Sequence, residues 1–188
     1  MKSLRSVLPV VLISLCTLAF AQMGAQKSLV QSDAQKSFDT LKTLAGTWQG
    51  SITLDPTRPD VKPGTRGRIT MRVTSRGNAL VHEMQEADTP FDATKYDHPV
   101  TMFYVDADRL TLVHYCDAGN RPRMVGKLSP DGKKVEFDFV DLSGGNEYGH
   151  MYHAVFTIID ADHHIEDWTY MMPGDKPMHA HMDLTKAN

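Results

Sequence analysis

The chain has 188 residues, with 20 basic and 23 acidic side chains and a formal net charge of −3. This length suits one domain with a buried core. The acidic balance argues against nucleic acid and anionic membrane surfaces as partners, because both attract basic proteins.

The first 21 residues have the pattern of a secretory signal peptide. Lys2 and Arg5 precede an apolar run from 7 to 20, and residues 19–21 (Ala-Phe-Ala) form a small-x-small cleavage pattern. A membrane helix is the alternative, but it needs about 18 or more apolar residues and this run is shorter. We therefore predict a secreted or periplasmic protein that is cleaved after Ala21 and then has no membrane span.

Cleavage would leave a more acidic domain with one thiol. The basic count would fall from 20 to 18 against 23 acidic residues, so the net charge becomes −5. Cys16 would leave with the signal peptide, so Cys116 could form no intramolecular disulfide. Residues 22–36 are polar and are predicted to be a flexible tether, which leaves 37–188 as the folded domain.

A short helix is predicted at the start of this domain. Phe38, Leu41 and Leu44 recur at helical spacing, and the helix would begin near Ser37 and end at Gly46. From there the period becomes two, and about ten short alternating runs follow one another. Turn sequences such as Arg-Gly-Asn and Pro-Asp-Gly separate them.

The strand pattern predicts the fold class. No helices are expected between the strands, which excludes a parallel βαβ architecture. An open sheet of ten strands would leave two bare edges, and closure removes them. We predict an all-β fold, an antiparallel up-and-down β-barrel of about ten strands with a short N-terminal helix. A β-sandwich is the alternative, because alternation does not distinguish the two.

Over residues 38–186 the sequence resembles lipocalin-like (calycin) β-barrels. The segment LAGTWQGSI holds a Gly-x-Trp motif at 46–48, which starts the first strand in that family. The strand count is closer to fatty-acid-binding and nitrobindin-like barrels. The segments HYCDAGNRPRM (114–124), GHMYH (149–153) and DWTY (167–170) are similar to a secreted bacterial lipocalin-like group of unassigned function.

The resemblance implies an internal cavity for a small apolar or amphipathic molecule, without implying which one. Lipocalins often place an arginine of the last strand over the motif tryptophan. In this sequence only Lys186 could take that position.

Alternation also predicts which side chains line the cavity. Methionine and aromatic residues would supply apolar contact, and histidines and an arginine would orient the ligand. The predicted ligand-binding residues are His82, Met84, His114, Cys116, Arg123, Met151, His153, Trp168 and Tyr170. The expected function is non-covalent binding of a small apolar or amphipathic molecule.

Metal or heme binding is an alternative function of the same barrel, although no cofactor is expected. His114 and Cys116 share a strand face and offer nitrogen and sulfur donors, so they are weak candidates for a divalent metal. By analogy with nitrobindin-like barrels, a heme could bind through His153 or His179.

An enzyme that uses the same cavity is the less favoured alternative. The sequence has no Gly-x-Ser-x-Gly, His-Glu-x-x-His or phosphate-loop motif, so no catalytic residue is assigned. His163 and His164 lie at a predicted turn and are expected to be solvated.

Overall fold

The computed structural model describes residues 31–59, 61–92 and 94–187. The elements of this part of the chain are α1 (Asp33–Lys42), β1 (Gly46–Asp55), β2 (Arg66–Thr74), a 3-10 turn (Ser75–Gly77), β3 (Ala79–Glu86), β4 (Val100–Asp106), β5 (Arg109–Tyr115), β6 (Arg121–Leu128), β7 (Lys134–Ser143), β8 (His150–Ile158), β9 (His163–Met172) and β10 (Lys176–Lys186). Consecutive strands pair antiparallel, and β1 also pairs with β10, so the sheet closes. The predicted up-and-down barrel is confirmed, and the sandwich alternative is wrong.

The predicted signal peptide at 1–21 and most of the predicted tether lie outside the described residues. Within the described ranges, we find no helix with the length and apolar character that a membrane crossing requires.

Helix α1 begins at Asp33, earlier than the predicted start near Ser37. Ser32 caps it, and its side-chain oxygen accepts a hydrogen bond from the backbone N–H of Gln35 at 3.1 Å. A serine followed three residues later by glutamine is a capping-box pattern, so the sequence did contain this signal. The helix packs against β4–β7 and contributes Phe38 to the barrel core.

The barrel half nearest α1 is filled with side chains. Phe103, Phe137 and Phe156 are fully buried, and the ring of Phe103 lies 5.4 Å from each of the other two. Aromatic rings at this spacing pack favourably. The three rings are part of the continuous apolar core of the barrel.

Trp48 of the Gly-x-Trp motif joins the helix end to the first strand. Its indole N–H donates to the backbone oxygen of Leu44 at 2.8 Å. The Nζ atom of Lys186 lies 5.5 Å from the indole ring centre, a distance at which the ammonium interacts favourably with the ring.

Two bulges change which side chains face inward. In β8, Met151 pairs with Tyr170 and His153 pairs with Thr169, so Tyr152 is an extra residue without a partner in β9. A bulge of this kind reverses the inward and outward alternation beyond it. A second register shift lies between β6 and β7.

Candidate functional site

A cavity of about 460 Å³ occupies the barrel half away from α1, where β3, β5 and β9 end and β8 and β10 begin. Strand ends and the adjoining loops form its wall. The lining residues are Arg58, Met84, Asp97, Pro99, His114, Cys116, Asp117, Ala118, Tyr148, Met151, Trp168, Tyr170, Met172, Met178 and Ala180. Six of the nine predicted ligand-binding residues are in this set: Met84, His114, Cys116, Met151, Trp168 and Tyr170.

A neighbouring space of about 380 Å³ extends from this cavity toward β1. It shares Met84, Asp97 and Asp117 with the first cavity and adds apolar side chains such as Leu54 and Val61.

His114 lies at the inner end of the cavity and is 2% exposed. Its Nδ1 atom lies 2.8 Å from the hydroxyl oxygen of Thr101, the residue opposite it on β4. Burial lowers the pKa of His114 to about 3, and the positive charge of His82 contributes to this shift. The imidazole is therefore neutral at ordinary pH.

Trp168 forms the floor beside His114. Its ring centre lies 5.6 Å from that of His114 and 5.8 Å from that of His82. The indole N–H donates to Oε2 of Glu166 at 2.9 Å, which fixes the orientation of the ring. Trp168 thus separates the cavity from a buried charged cluster.

That cluster consists of Glu166, His82 and His164. The Nε2 atom of His82 lies 3.0 Å from Oε2 of Glu166, and that of His164 lies 3.1 Å from Oε1. Burial raises the pKa of Glu166, but the charges and hydrogen bonds of the two histidines outweigh it and hold the pKa well below its usual range. A buried carboxylate needs a proton on one of the imidazoles to balance its charge.

Two sequence predictions are corrected by this cluster. His82 does not line the cavity but lies behind Trp168, where it is 1% exposed. His164 was expected to be solvated at a turn and is instead fully buried, with its ring 4.3 Å from Trp48. The cause is the start of β9 at His163, which places the next residue inside the barrel.

Cys116 lies at the cavity wall and is held by the turn that follows it. The backbone N–H of Ala118 donates to Sγ at 3.3 Å, and the thiol donates to Oδ1 of Asn120 at 3.6 Å. Burial raises the pKa of the Cys116 thiol. The sulfur is therefore a protonated thiol at neutral pH and a weak nucleophile.

The rim of the cavity is polar. The Tyr170 hydroxyl donates to the backbone oxygen of Tyr148 at 2.9 Å, and burial raises the pKa of Tyr170 to about 12. Burial, together with the nearby charge of Asp117, raises the pKa of Asp97. Sequence reasoning missed both aspartates as lining residues, because loop positions have no strand alternation from which to place them.

Arg123 and His153 lie on the outer wall, contrary to the prediction. Arg123 forms an ion pair with Asp141, and the neighbours Pro122 and Met124 are the residues that point inward. His153 is turned outward by the β8 bulge, and its Nδ1 atom lies 3.2 Å from Oδ1 of Asp138.

The two histidines predicted to hold a heme do not fit that role. His153 faces outward, and so does His179, whose Nδ1 atom lies 3.1 Å from the hydroxyl oxygen of Thr169. On β10 the residues that line the cavity are Met178 and Ala180. Neither histidine can reach a molecule inside the barrel.

The predicted metal donors His114 and Cys116 form no three-donor cluster with other described residues. Within the described ranges, the group whose donor atoms lie close enough to share an ion is Glu136, Asp138 and His153, on the outer wall. The Nζ atom of Lys127 lies 3.8 Å from each of these carboxylates. Its positive charge opposes the binding of a cation there.

The fold is similar to that of solved structures. The M. tuberculosis protein Rv2717c matches with a TM-score of 0.59 and 14% sequence identity, over 81% of this chain and 98% of that one. This similarity shows the barrel fold alone. A DUF3598 family protein of unknown function from Nostoc punctiforme PCC 73102 has a TM-score of 0.25 and 7% identity, over 80% of this chain and 99% of that one. No family model matches the sequence, and no curated protein matches it significantly.

Proposed function

We propose that the protein binds a small apolar or amphipathic molecule non-covalently inside the barrel. The observation that carries this proposal is a cavity of about 460 Å³ whose wall combines methionine and tryptophan side chains with polar and charged groups such as His114, Asp97 and Arg58. This is the usual composition of a small-molecule site in proteins.

The side chains of the wall suit an adaptable apolar site. Met84, Met151, Met172 and Met178 approach the cavity from four strands or strand ends. Methionine is unbranched and polarisable, so it adjusts to ligands of different shape. Trp168 adds a flat ring surface at the floor.

The protonation states favour binding over catalysis. A nucleophilic cysteine requires a lowered pKa, whereas burial raises that of Cys116. His114 is held by Thr101 and is neutral, and its pKa of about 3 is far from that of an efficient general base at pH 7. The cavity therefore has no activated nucleophile among the residues described.

We also propose that the protein belongs with the secreted lipocalin-like barrels and is secreted or periplasmic. The signal-peptide pattern at 1–21 supports the location. The Trp48 motif and the cation of Lys186 above its ring support the relationship.

A neutral fluorescent probe, N-phenyl-1-naphthylamine, tests the binding proposal. Ala180→Phe places a large ring in the cavity, and His181→Phe places the same ring next to it on the outer wall. We expect saturable binding of one probe per chain, at least tenfold weaker in the Ala180 variant and unchanged in the His181 variant.

Equal binding by both variants would contradict the proposal, because it would place the probe outside the barrel. Independently of the probe, native mass spectrometry of protein purified from its own host would identify the natural ligand. An absorption band typical of heme in that material would contradict an apolar carrier.

A further inference from the structure

We infer that the floor of the cavity presents one neutral hydrogen-bond donor, Nε2–H of His114, and so selects ligands whose inner end carries a neutral acceptor such as a ketone, ester or amide oxygen. This inference rests on the proposed function and adds the ligand class to it.

The Thr101 hydroxyl decides which ring nitrogen carries the proton. Thr101 is fully buried, and within the described part of the chain His114 Nδ1 is the hydrogen-bond partner of its hydroxyl, at 2.8 Å. If Nδ1 donated, the hydroxyl hydrogen would be buried without an acceptor, which costs about 1–3 kcal/mol. The hydroxyl therefore donates, Nδ1 accepts, and the ring proton lies on Nε2.

The donor is neutral as well as fixed. A second proton on the ring would take Nδ1 away from the Thr101 hydroxyl and place a charge beside His82, in a site that is almost completely buried. Nε2 has no other protein partner within the described ranges, and the imidazole lines the cavity. A molecule in the cavity is therefore the group that this N–H can reach.

A neutral acceptor suits this floor better than a carboxylate does. One N–H cannot replace the hydration of a buried anion, which needs several donors or an opposite charge. The cluster behind Trp168 offers an anion no free positive charge, because the proton that one imidazole carries there balances the carboxylate of Glu166. A metal ion binds only a deprotonated ring nitrogen, so the proton would have to move from Nε2 to Nδ1. Nδ1 could then no longer accept from the Thr101 hydroxyl, whose hydrogen would be left without a partner.

Three naphthalenes of similar size test this inference by quenching of tryptophan fluorescence. They are 2-acetylnaphthalene, which has an acceptor, 2-ethylnaphthalene, which has none, and 2-naphthoate, which is an anion. We expect the purified protein to bind the ketone about tenfold more tightly than the hydrocarbon, and the anion most weakly. His114→Phe should remove the preference for the ketone while it keeps the binding of the hydrocarbon.

A preference for the ketone that persists in His114→Phe would overturn the inference, and so would tightest binding of the naphthoate. If His114→Phe fails to fold, Thr101→Val replaces it. Valine has nearly the same shape and frees the ring to adopt either tautomer, so the preference should decrease.

Long-range proton–nitrogen NMR correlation of the His114 ring gives a readout that needs no ligand. We expect a protonated Nε2 and a bare Nδ1 at neutral pH. The opposite tautomer would overturn the inference even if the probes bind. Saturable binding of N-phenyl-1-naphthylamine without a preference for the ketone would overturn the ligand class alone. Absence of binding by all of these probes would overturn the proposed function as well, and the spectrum would then show whether the floor donor exists.

Discussion

Acid should destabilise the protein through His114. Burial lowers the pKa of this imidazole from its ordinary 6.5 to about 3 in the folded state. Between these values the unfolded chain binds a proton that the folded chain does not, so the free energy of unfolding decreases as the pH falls. The contribution is complete above about pH 6.5 and is lost progressively down to about pH 3.

The size of this effect follows from the pH range between the ordinary pKa of histidine and the lower pKa of His114 in the folded state. One proton changes the free energy of unfolding by about 1.4 kcal/mol per pH unit. At about pH 4.5, two units below the ordinary histidine pKa, the loss is about 3 kcal/mol. A domain with a total stability of about 5–15 kcal/mol would show this clearly.

Urea unfolding between about pH 7.5 and about pH 4.5 measures the effect in wild type and in His114→Gln. Glutamine does not titrate and can still accept from Thr101, so the variant should lose about 3 kcal/mol less over this range. His179→Gln, on the outer wall, is the matched control. The cluster of His82, His164 and Glu166 has the same residues in all three proteins, so differences between them report the substituted side chain. Equal pH dependence in wild type and His114→Gln would refute the reasoning.

Three further predictions concern the buried cluster around Glu166, the pairing of β1 with β10 that closes the barrel, and the Cys116 thiol. Glu166→Gln should lower the free energy of unfolding by about 3 kcal/mol or more, because it breaks a buried charge network. Asp141→Asn, which breaks an exposed ion pair, should lower it far less, and equal losses in urea titrations would contradict this. Gly50→Ala should lower the thermal midpoint, because its Cβ would lie 1.7 Å from the backbone oxygen of Asp183 on β10, and an unchanged midpoint would be the opposite result. Cys116 should react slowly with a disulfide reagent at neutral pH, and more slowly with N-phenyl-1-naphthylamine present, whereas a rate independent of the probe would place the probe elsewhere.

The barrel could be predicted from the sequence because its strands are short, alternate cleanly and are joined by recognisable turns. Alternation also identified six of the fifteen cavity-lining residues, since positions such as Met84, His114 and Trp168 follow the inward phase of their strands. It failed at His153, where the bulge at Tyr152 inserts one residue that no turn sequence announces.

The buried cluster was missed for a different reason. Alternation from Trp168 back along β9 does place Glu166 and His164 on the inward face. A carboxylate is rarely buried without a partner, so the pattern alone favours the surface for it. The partner that makes burial possible, His82, is 84 positions away in the sequence, and no local signal connects the two.

If the cavity binds a ligand as proposed, its fixed floor and its adaptable wall would contact different parts of that molecule and select for different properties. Trp168 is tied to Glu166 and His114 to Thr101, so neither side chain can turn toward a ligand without breaking a buried hydrogen bond. Such a break costs more than one new contact returns, so the inner end of the ligand must match the floor as it stands. The methionines of the wall have no such bonds to lose and can repack around the rest of the molecule. Selectivity should therefore depend on the chemistry of the inner end, with wide tolerance for the shape of the outer end.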